Sequence, residues 1–432
     1  MKLDRASAIV NAVLYEGYIL YPYRPSSIKN RQRWTFGGVF PRDHAEHGGS
    51  DPCTVQTQCL LQDGPATAVE IRVRFLHIVS REIGALATPL AELPPVGEPA
   101  FTRVASLQAG GAEYLAWEEA TEREVVAPLC RVRDLLEAPV ETAFAFPGDR
   151  RIEPIREDGK VVGLVIRTTA AVQGRLTIAA ERVAADAVRL SLRISNETPL
   201  ATADRASREH AQLHAFASTH TLLGVTDGAF VSLLDPPEAL RTAAEACDNQ
   251  GCFPVLVGAE GDRDLMLSSP IILYDYPQVA PESPGDLFDG CEIDEILTLR
   301  ILTLTDAEKR EVAAADARAR ALLMRTERLT PAELARLHGT MRPVRGRAES
   351  SGLQIGDRVR LHPKKGADIM DIVLREKLAI VEAIEHDFED RVHVAVTIVD
   401  DPGRDLGMDR MPGHRFFFGL DELERVPAED AA

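Results

Sequence analysis

The alternation of apolar and polar positions divides the chain into three kinds of text. Residues 3–14 carry Leu3, Ile9, Val10, Val13 and Leu14 at helical spacing, and Gly17 is placed to end a short helix. From Tyr18 the text turns strand-like, but Pro22 and Pro25 interrupt it and demote regular pairing. Residues 69–83 alternate at Val69, Ile71, Val73 and Phe75, the mark of a half-buried strand. Three more alternating stretches, 161–168, 174–181 and 187–195, follow one another through turn residues with no long helix between them. That series predicts antiparallel sheet, of the sandwich kind. Residues 125–136 suit strand or helix equally. A helix is expected over 204–214, and strands over 230–234, 253–257, 271–274 and 296–304.

After Leu304 the composition shifts to Ala, Arg, Glu and Lys, all good helix formers. Thr305 with Glu308 three residues later forms a capping-box pattern at the start of a helix over 306–325. Thr330-Pro331-Ala332-Glu333 offers a second start, with Pro at the first helical position. The third kind of text begins near Gly352. There 354–361, 378–384, 391–399 and 414–418 read as short strands joined by tight turns. The expected fold is therefore mainly β with some helix (α+β). It comprises a sandwich-like antiparallel body over 1–304, divisible near residue 150, a two-helix bridge over 305–342 and a polar linker over 343–351. An SH3-like small barrel over 352–427 and a tail over 428–432 complete it.

Composition changes this picture mainly at the N-terminus. Aromatics are only 5% of the chain, yet Tyr15, Tyr18, Tyr21, Tyr23, Trp34, Phe36 and Phe40 all fall within residues 12–42, beside Lys29, Arg31 and Arg33. One reading is a core strand pair with an ordered, partly buried loop. The other is a docking surface presenting Tyr21, Tyr23, Arg31, Arg33 and Trp34, since Tyr, Trp and Arg are enriched at interface centres. At 432 residues two or three domains are expected. A net charge of −18 argues against nucleic acid or an anionic membrane as the main partner. No apolar run is long enough to span a bilayer, the first residues lack the features of a signal peptide, and six scattered cysteines suit a reducing cytoplasm.

Three runs carry a resemblance: VNAVLYEGYILYPYRPSSIKNRQRWTFGGVFPR at 10–42, STHTLLGVTDGAFVSLLDPPE at 218–238, and LSSPIILYDYPQVAPESPGDLFDGCEIDEILTLR at 267–300. In these the chain resembles an uncharacterised accessory protein associated with bacterial nickel–iron uptake hydrogenases of the high-affinity kind. A second resemblance lies in GDRVRLHPKKGADIMDIVL, EDRVHVAVTIVDDPGRDLG and PGHRFFFG, which look like the small barrel of hydrogenase accessory proteins, including the tails of some maturation proteases. The protease's acidic, glycine-rich nickel-sensing motif has no counterpart here. These resemblances imply a non-catalytic assembly factor or scaffold whose partners are a hydrogenase subunit or maturation proteins. A permanent subunit of the hydrogenase complex is a further reading.

The hydrogenase context makes metal binding by nickel, iron or zinc the rival reading, through either of two sets of residues. His44, His47, Cys53 and Cys59 offer imidazole and thiolate groups within one loop, and His210, His214 and His220 cluster further on. Neither spacing matches an established site, and no HExxH accompanies the second set. No GxSxG elbow, Walker loop or GxGxxG fingerprint is present, so nucleophilic hydrolysis and nucleotide binding find no local support. In the tail, His362, Lys364 and Lys365 form a small basic loop, but consecutive Phe416, Phe417 and Phe418 alternate faces on a strand and make no stacking platform.

Overall fold

The computed structural model describes residues 6–31, 33–34, 36–201, 207–278, 287–288, 294–330, 356–362, 376–386, 392–399, 416–419 and 422–426. The chain is mainly β, 47% strand and 19% helix, with large antiparallel sheets. It divides into two compact units, Met1–Thr340 and Met341–Ala432.

The first unit opens with three short helices: α1 (Ser7–Leu14), α2 (Ile28–Arg31) and α3 (Arg42–Glu46). Among the described residues between Tyr18 and Gly38 no strand forms; they make turns, bends and α2. The organising strand follows: β1 (Thr54–Leu90) is 37 residues long. After it come β2 (Thr102–Val104), β3 (Ser106–Ala109), β4 (Ala112–Leu115), β5 (Trp117–Val126), β6 (Cys130–Arg131) and α4 (Val132–Leu135). The ambiguous stretch 125–136 is thus part strand and part helix. Next are β7 (Val140–Phe146), β8 (Asp149–Glu157), β9 (Lys160–Thr169), β10 (Val172–Ala184) and β11 (Ala187–Asn196). They are followed by α5 (Arg208–Gln212), β12 (Phe216–Val231), α6 (Arg241–Glu245), β13 (Phe253–Leu256) and β14 (Leu265–Ser269). The last elements among the described residues of this unit are the helices α7 (Asp294–Leu302), α8 (Asp306–Ala315) and α9 (Ala317–Glu327).

Along its length β1 changes neighbours. Its first residues pair with β11, its middle with β12 and β5, and its last third with β9 and β2. Only residues 69–83 read as strand in the sequence, because Gly64-Pro65 looks like a stop. Instead the chain bulges there: the β12 register jumps between Asp63 and Ala68, and Gly64 N–H donates to Thr67 Oγ1 at 2.8 Å. The main core against this sheet contains Ile71, Val73 and Phe75 of β1 with Leu176, Leu192, Phe216 and Val225.

Four expectations are corrected. Residues 296–304 form no strand; α7 covers most of them. Ile-Leu-Thr-Leu-Arg-Ile alternates, but Leu297, Ile301 and Leu304 also recur at helical spacing, and these three are buried while Ile296 and Leu299 face out. Residues 271–274 are irregular, and the strand is β14 just before them. The strand expected at 230–234 is the end of the much longer β12. Finally, α8 and α9 are no bridge. Val312, Ala315, Ala319 and Leu322 share one cluster with Tyr15, Tyr18 and Trp34, so the helices complete the first unit's core. The capping box itself forms: Glu308 N–H reaches Thr305 Oγ1 and Thr305 N–H reaches Glu308 Oε2. Residues 331–342 and the linker lie outside the described residues.

The described residues of the second unit form a five-stranded antiparallel sheet curled into a half-barrel. Its strands are β15 (Arg358–Leu361), β16 (Leu378–His386), β17 (Val392–Ile398), β18 (Phe416–Gly419) and β19 (Leu423–Arg425), in the order β18-β17-β16-β15-β19. Val359, Leu361, Val381, Val394, Val396 and Phe418 fill its core. Lys364 and Lys365 lie outside the described residues.

Phe75 tests the centre of the first unit. It has no exposed surface, and its ring centroid lies 4.6 Å from Phe216 and 5.8 Å from Phe146. Phe75→Ala is expected to cost about 3–5 kcal/mol, read as a lower urea midpoint at unchanged slope.

Candidate functional site

A bulge in β12 creates the site. Between Arg74 and Leu76 of β1 the pairing slips, leaving Ser218 and Thr219 of β12 opposite the single residue Phe75, with Ser218 at φ +51°. The two N–H groups so released are taken by the N-terminal stretch. Ser218 N–H donates to Phe36 O at 3.0 Å and Thr219 N–H to Gly37 O at 2.9 Å. Val39 and Phe216 then exchange both backbone hydrogen bonds as an isolated antiparallel bridge, so residues 36–39 dock along β12. Gly37 sits at φ +53°, and a Cβ there would lie 2.6 Å from the Pro270 ring and 3.1 Å from Thr219 N. Only glycine satisfies both the backbone angle and the close approach. Three sequence-distant runs, around residues 37, 219 and 270, therefore meet at one point.

Beside this junction lies a cleft of about 260 Å³, walled by Trp34, Phe36, Phe40, Phe253 and Pro270 and bordered by Asp51 and Arg208. Arg208 Nε reaches both Asp51 carboxylate oxygens, at 3.2 and 3.1 Å, and its guanidinium lies 5.0 Å from the Phe40 ring centre. Phe36 and Phe253 are 38% and 41% exposed. Past Pro270 the irregular segment alternates. Ile271 and Leu273 pack inward, while Ile272 and Tyr274 are 74% and 86% exposed. The loop carrying Phe253 is clamped to β1 by side-chain amides: Asn249 Oδ1 accepts from Gln58 N–H, and Gln56 Nε2 donates to Asp248 O.

Behind the cleft stands a buried polar cage. The Arg33 guanidinium lies 4.7, 4.4 and 4.1 Å from the ring centres of Tyr18, Trp34 and Trp117. It donates to the Tyr18 carbonyl at 2.9 Å and to the Glu118 carbonyl. Trp34 is a bulky residue held at φ +62°, and its indole N–H donates to Glu118 Oε2 at 2.5 Å. The Tyr18 hydroxyl donates to Asp316 Oδ2 at 2.7 Å and the Trp117 N–H to the same oxygen at 3.3 Å, while Asp316 Oδ1 caps α9 through Ala319 N–H at 2.8 Å. On the other side Arg81 donates to Glu119 and to the last carbonyls of α8, Ala314 and Ala315. Burial, and then the charge of Asp316, push the Tyr18 phenol well above its ordinary range. Burial also pulls the Arg33 guanidinium down, against the opposing influence of Tyr18 and Asp316.

The expected docking surface is mostly interior. Tyr23 is fully buried with its hydroxyl on Leu287 O at 2.8 Å, and Arg33 and Trp34 are buried in the cage. Tyr21 is half-buried against Tyr23, with Arg300 5.3 Å from its ring centre. Arg31 closes the short helix α2. These aromatics serve the core because they have large rings and find internal acceptors for their polar tips.

Neither candidate metal set converges. Cys53 and Cys59 lie six residues apart on extended chain, about 20 Å at strand rise. Cys59 is buried in the core, His44 packs inward beside Phe40 with Asp51 3.6 Å from Nε2, and His47 is exposed, its ring hydrogen-bonded to Asp43 O. His210 and His214 are not paired on one helix, because α5 ends at Gln212; the His214 ring instead bonds the His210 carbonyl at 3.1 Å. His220 is buried at the bulge, its Nδ1 3.0 Å from Ser218 O. Among the described residues no three His, Cys, Asp or Glu side chains are grouped to hold a metal ion. The described cysteines are free thiols, and burial pushes Cys59 and Cys252 up.

Sequence reasoning missed Asp316, Trp117, Glu118 and Arg81. Asp316 had a signal: it interrupts an Ala/Arg helical run with a residue that prefers caps. Trp117 is one of only two tryptophans in the chain. His77 was missed too; it is buried on β1, where Arg123 Nε donates to its Nδ1 at 3.3 Å. No protein-family model matches the chain, and no curated protein matches it in sequence.

Two measurements test this arrangement. Asp316→Ala strands the Tyr18 hydroxyl, the Trp117 N–H and the α9 cap, and is expected to cost about 3 kcal/mol or more in urea unfolding. Asp316→Asn keeps a capping oxygen and costs less. Secondly, burial lowers both His77 and His220 from 6.5 to about 4. The unfolded chain then binds protons that the folded chain refuses, so stability is lost as pH falls from about 6.5 towards about 4. His77→Gln should flatten that decline in urea midpoints taken across this range.

Proposed function

We propose that the chain is a non-catalytic accessory protein of a nickel–iron hydrogenase, an assembly factor or scaffold that works by protein–protein contact. The observation that supports this reading is the convergence at Gly37: the three runs on which the resemblance rests, distant in sequence, contact one another there and border one surface. The aromatic cleft beside that point is lined by exposed Phe36 and Phe253, and the segment leaving its Pro270 carries exposed Ile272 and Tyr274. Exposed aromatic and branched side chains grouped at a concave site are what a partner's anchoring residues fill. The buried cage fixes the wall of that cleft from behind, so the surface is pre-organised and little ordering entropy is lost on docking. The half-barrel unit supplies a second contact, and two modest contacts on one chain raise avidity when both engage. The partners on this reading are a hydrogenase subunit or its maturation proteins, met in the cytoplasm. No helix among the described residues is long and apolar enough to cross a membrane.

Capture from cells expressing the hydrogenase tests the reading. The tagged chain is expected to recover the immature large subunit together with maturation proteins. Ile272→Asp with Tyr274→Asp should reduce recovery at least tenfold at an unchanged melting temperature, because both side chains lie outside the core. Recovery of mature enzyme at a fixed ratio would instead make the chain a permanent subunit. Failure to recover any hydrogenase component above an untagged control would end the proposal.

A further inference from the structure

A second cleft lies on the first unit, away from any run that carries the resemblance. It has a volume of about 460 Å³ and is formed between the β3–β4 hairpin and the elbow of α8 and α9. Gln108, Gly111 and Glu113 line it from the hairpin, and Arg310, Ala313 and Arg320 from the helices. Arginines elsewhere on this unit commonly meet a carboxylate: Arg81 and Arg167 share Glu119, Arg74 and Arg318 share Glu122, and Arg150 meets Glu98. Arg310 and Arg320 do not. Among the described residues neither forms an ion pair, and each spends only its Nε on a backbone carbonyl. Arg310 donates to Asp306 O at 3.2 Å and Arg320 to Ala313 O at 3.0 Å.

Those bonds set the orientation of each planar fork and leave its terminal nitrogens available. Two such forks come from different helices, and the extended Asp316 between the helices brings them to one cleft. The neighbouring lining is small (Gly111, Ala112, Ala307, Ala313 and Ala314), so no bulky side chain fills the space between them. A guanidinium fork matches carboxylate and phosphate oxygens two at a time. The Gln108 amide adds a donor, and Glu113 adds an acceptor suited to a ligand hydroxyl. The chain's net charge of −18 does not forbid this, because charges beyond the Debye length of about 8 Å are screened at physiological salt while contact pairs are not. From the two unpaired, pre-oriented guanidiniums in one open cleft we infer that this is a binding site for a small polyanion, a phosphate or carboxylate compound with at least two anionic groups. This site stands independently of the hydrogenase reading.

Isothermal titration of the full chain with pyrophosphate and, separately, with citrate tests it. Binding of at least one probe is expected, weakened at least tenfold in Arg310→Ala/Arg320→Ala. Preference for pyrophosphate would identify the phosphate source and preference for citrate the carboxylate source. Both arginines are exposed helix positions, and a melting temperature equal to that of the unaltered chain verifies folding of the variant. Absence of heat with both probes overturns the site, as does binding that survives the double substitution.

Discussion

The carboxylate of Asp316 ties together three parts of the first unit that share no sequence proximity. One oxygen receives a phenol from the N-terminal stretch and an indole from β5, and the other starts α9. A buried anion is costly unless hydrogen-bonded and matched by a nearby cation. Here three donors and the caged Arg33 supply both. The Arg33 charge is itself wrapped by three rings and two backbone carbonyls, so the two buried charges each need the scaffold that the other maintains. The α8–α9 elbow, the seat of Trp34 and the back wall of the aromatic cleft all descend from this arrangement.

On the front face the governing feature is the bulge in β12. A regular strand would have spent the N–H groups of Ser218 and Thr219 on its neighbours; the slip hands them to Phe36 and Gly37 instead. One irregularity thus admits the N-terminal stretch to the sheet and brings Gly37 against Pro270. The rigid interior and the exposed rim come from the same short segment, residues 33–40, with successive side chains sent to opposite duties. Arg33 and Trp34 are interior, Phe36 is at the rim, and Val39 and Phe40 are interior again.

How far the fold could be read ahead of the structure depended on whether the deciding contacts were local. The strands at 161–168, 174–181 and 187–195 were legible because alternation on a half-buried sheet repeats every two residues, and β9, β10 and β11 cover them. The Thr305–Glu308 capping box was legible because its bonds close within one helical turn. The length of β1 was not, since Gly64-Pro65 reads as a stop and only pairing with β12 across the bulge carries the strand through. Segment 296–304 satisfied two periods at once, and burial against Tyr15 and Tyr18 chose the helix. The aromatic stretch was legible as either core or docking surface, but which way its side chains face depends on Asp316 and Glu118, far along the chain. Proximity in sequence also suggested the histidine and cysteine sets; strand rise and the end of α5 separate them.

The tie between Tyr18 and Asp316 spans 298 residues, and this has a consequence for biosynthesis. At about 5–20 residues per second on the ribosome, Tyr18 emerges roughly 15–60 s before the carboxylate that receives it. Throughout that interval the most aromatic segment of the chain has neither its helical cover nor its buried counter-charge. The pairings of β1 with β11 and β12 also wait for more chain to be made, whereas those with β2 and β5 close over shorter loops, so part of the sheet forms well before the aromatic segment is covered. The nascent chain is therefore a natural client for chaperones that shield aromatic segments, and truncation before residue 316 leaves that segment without its partner.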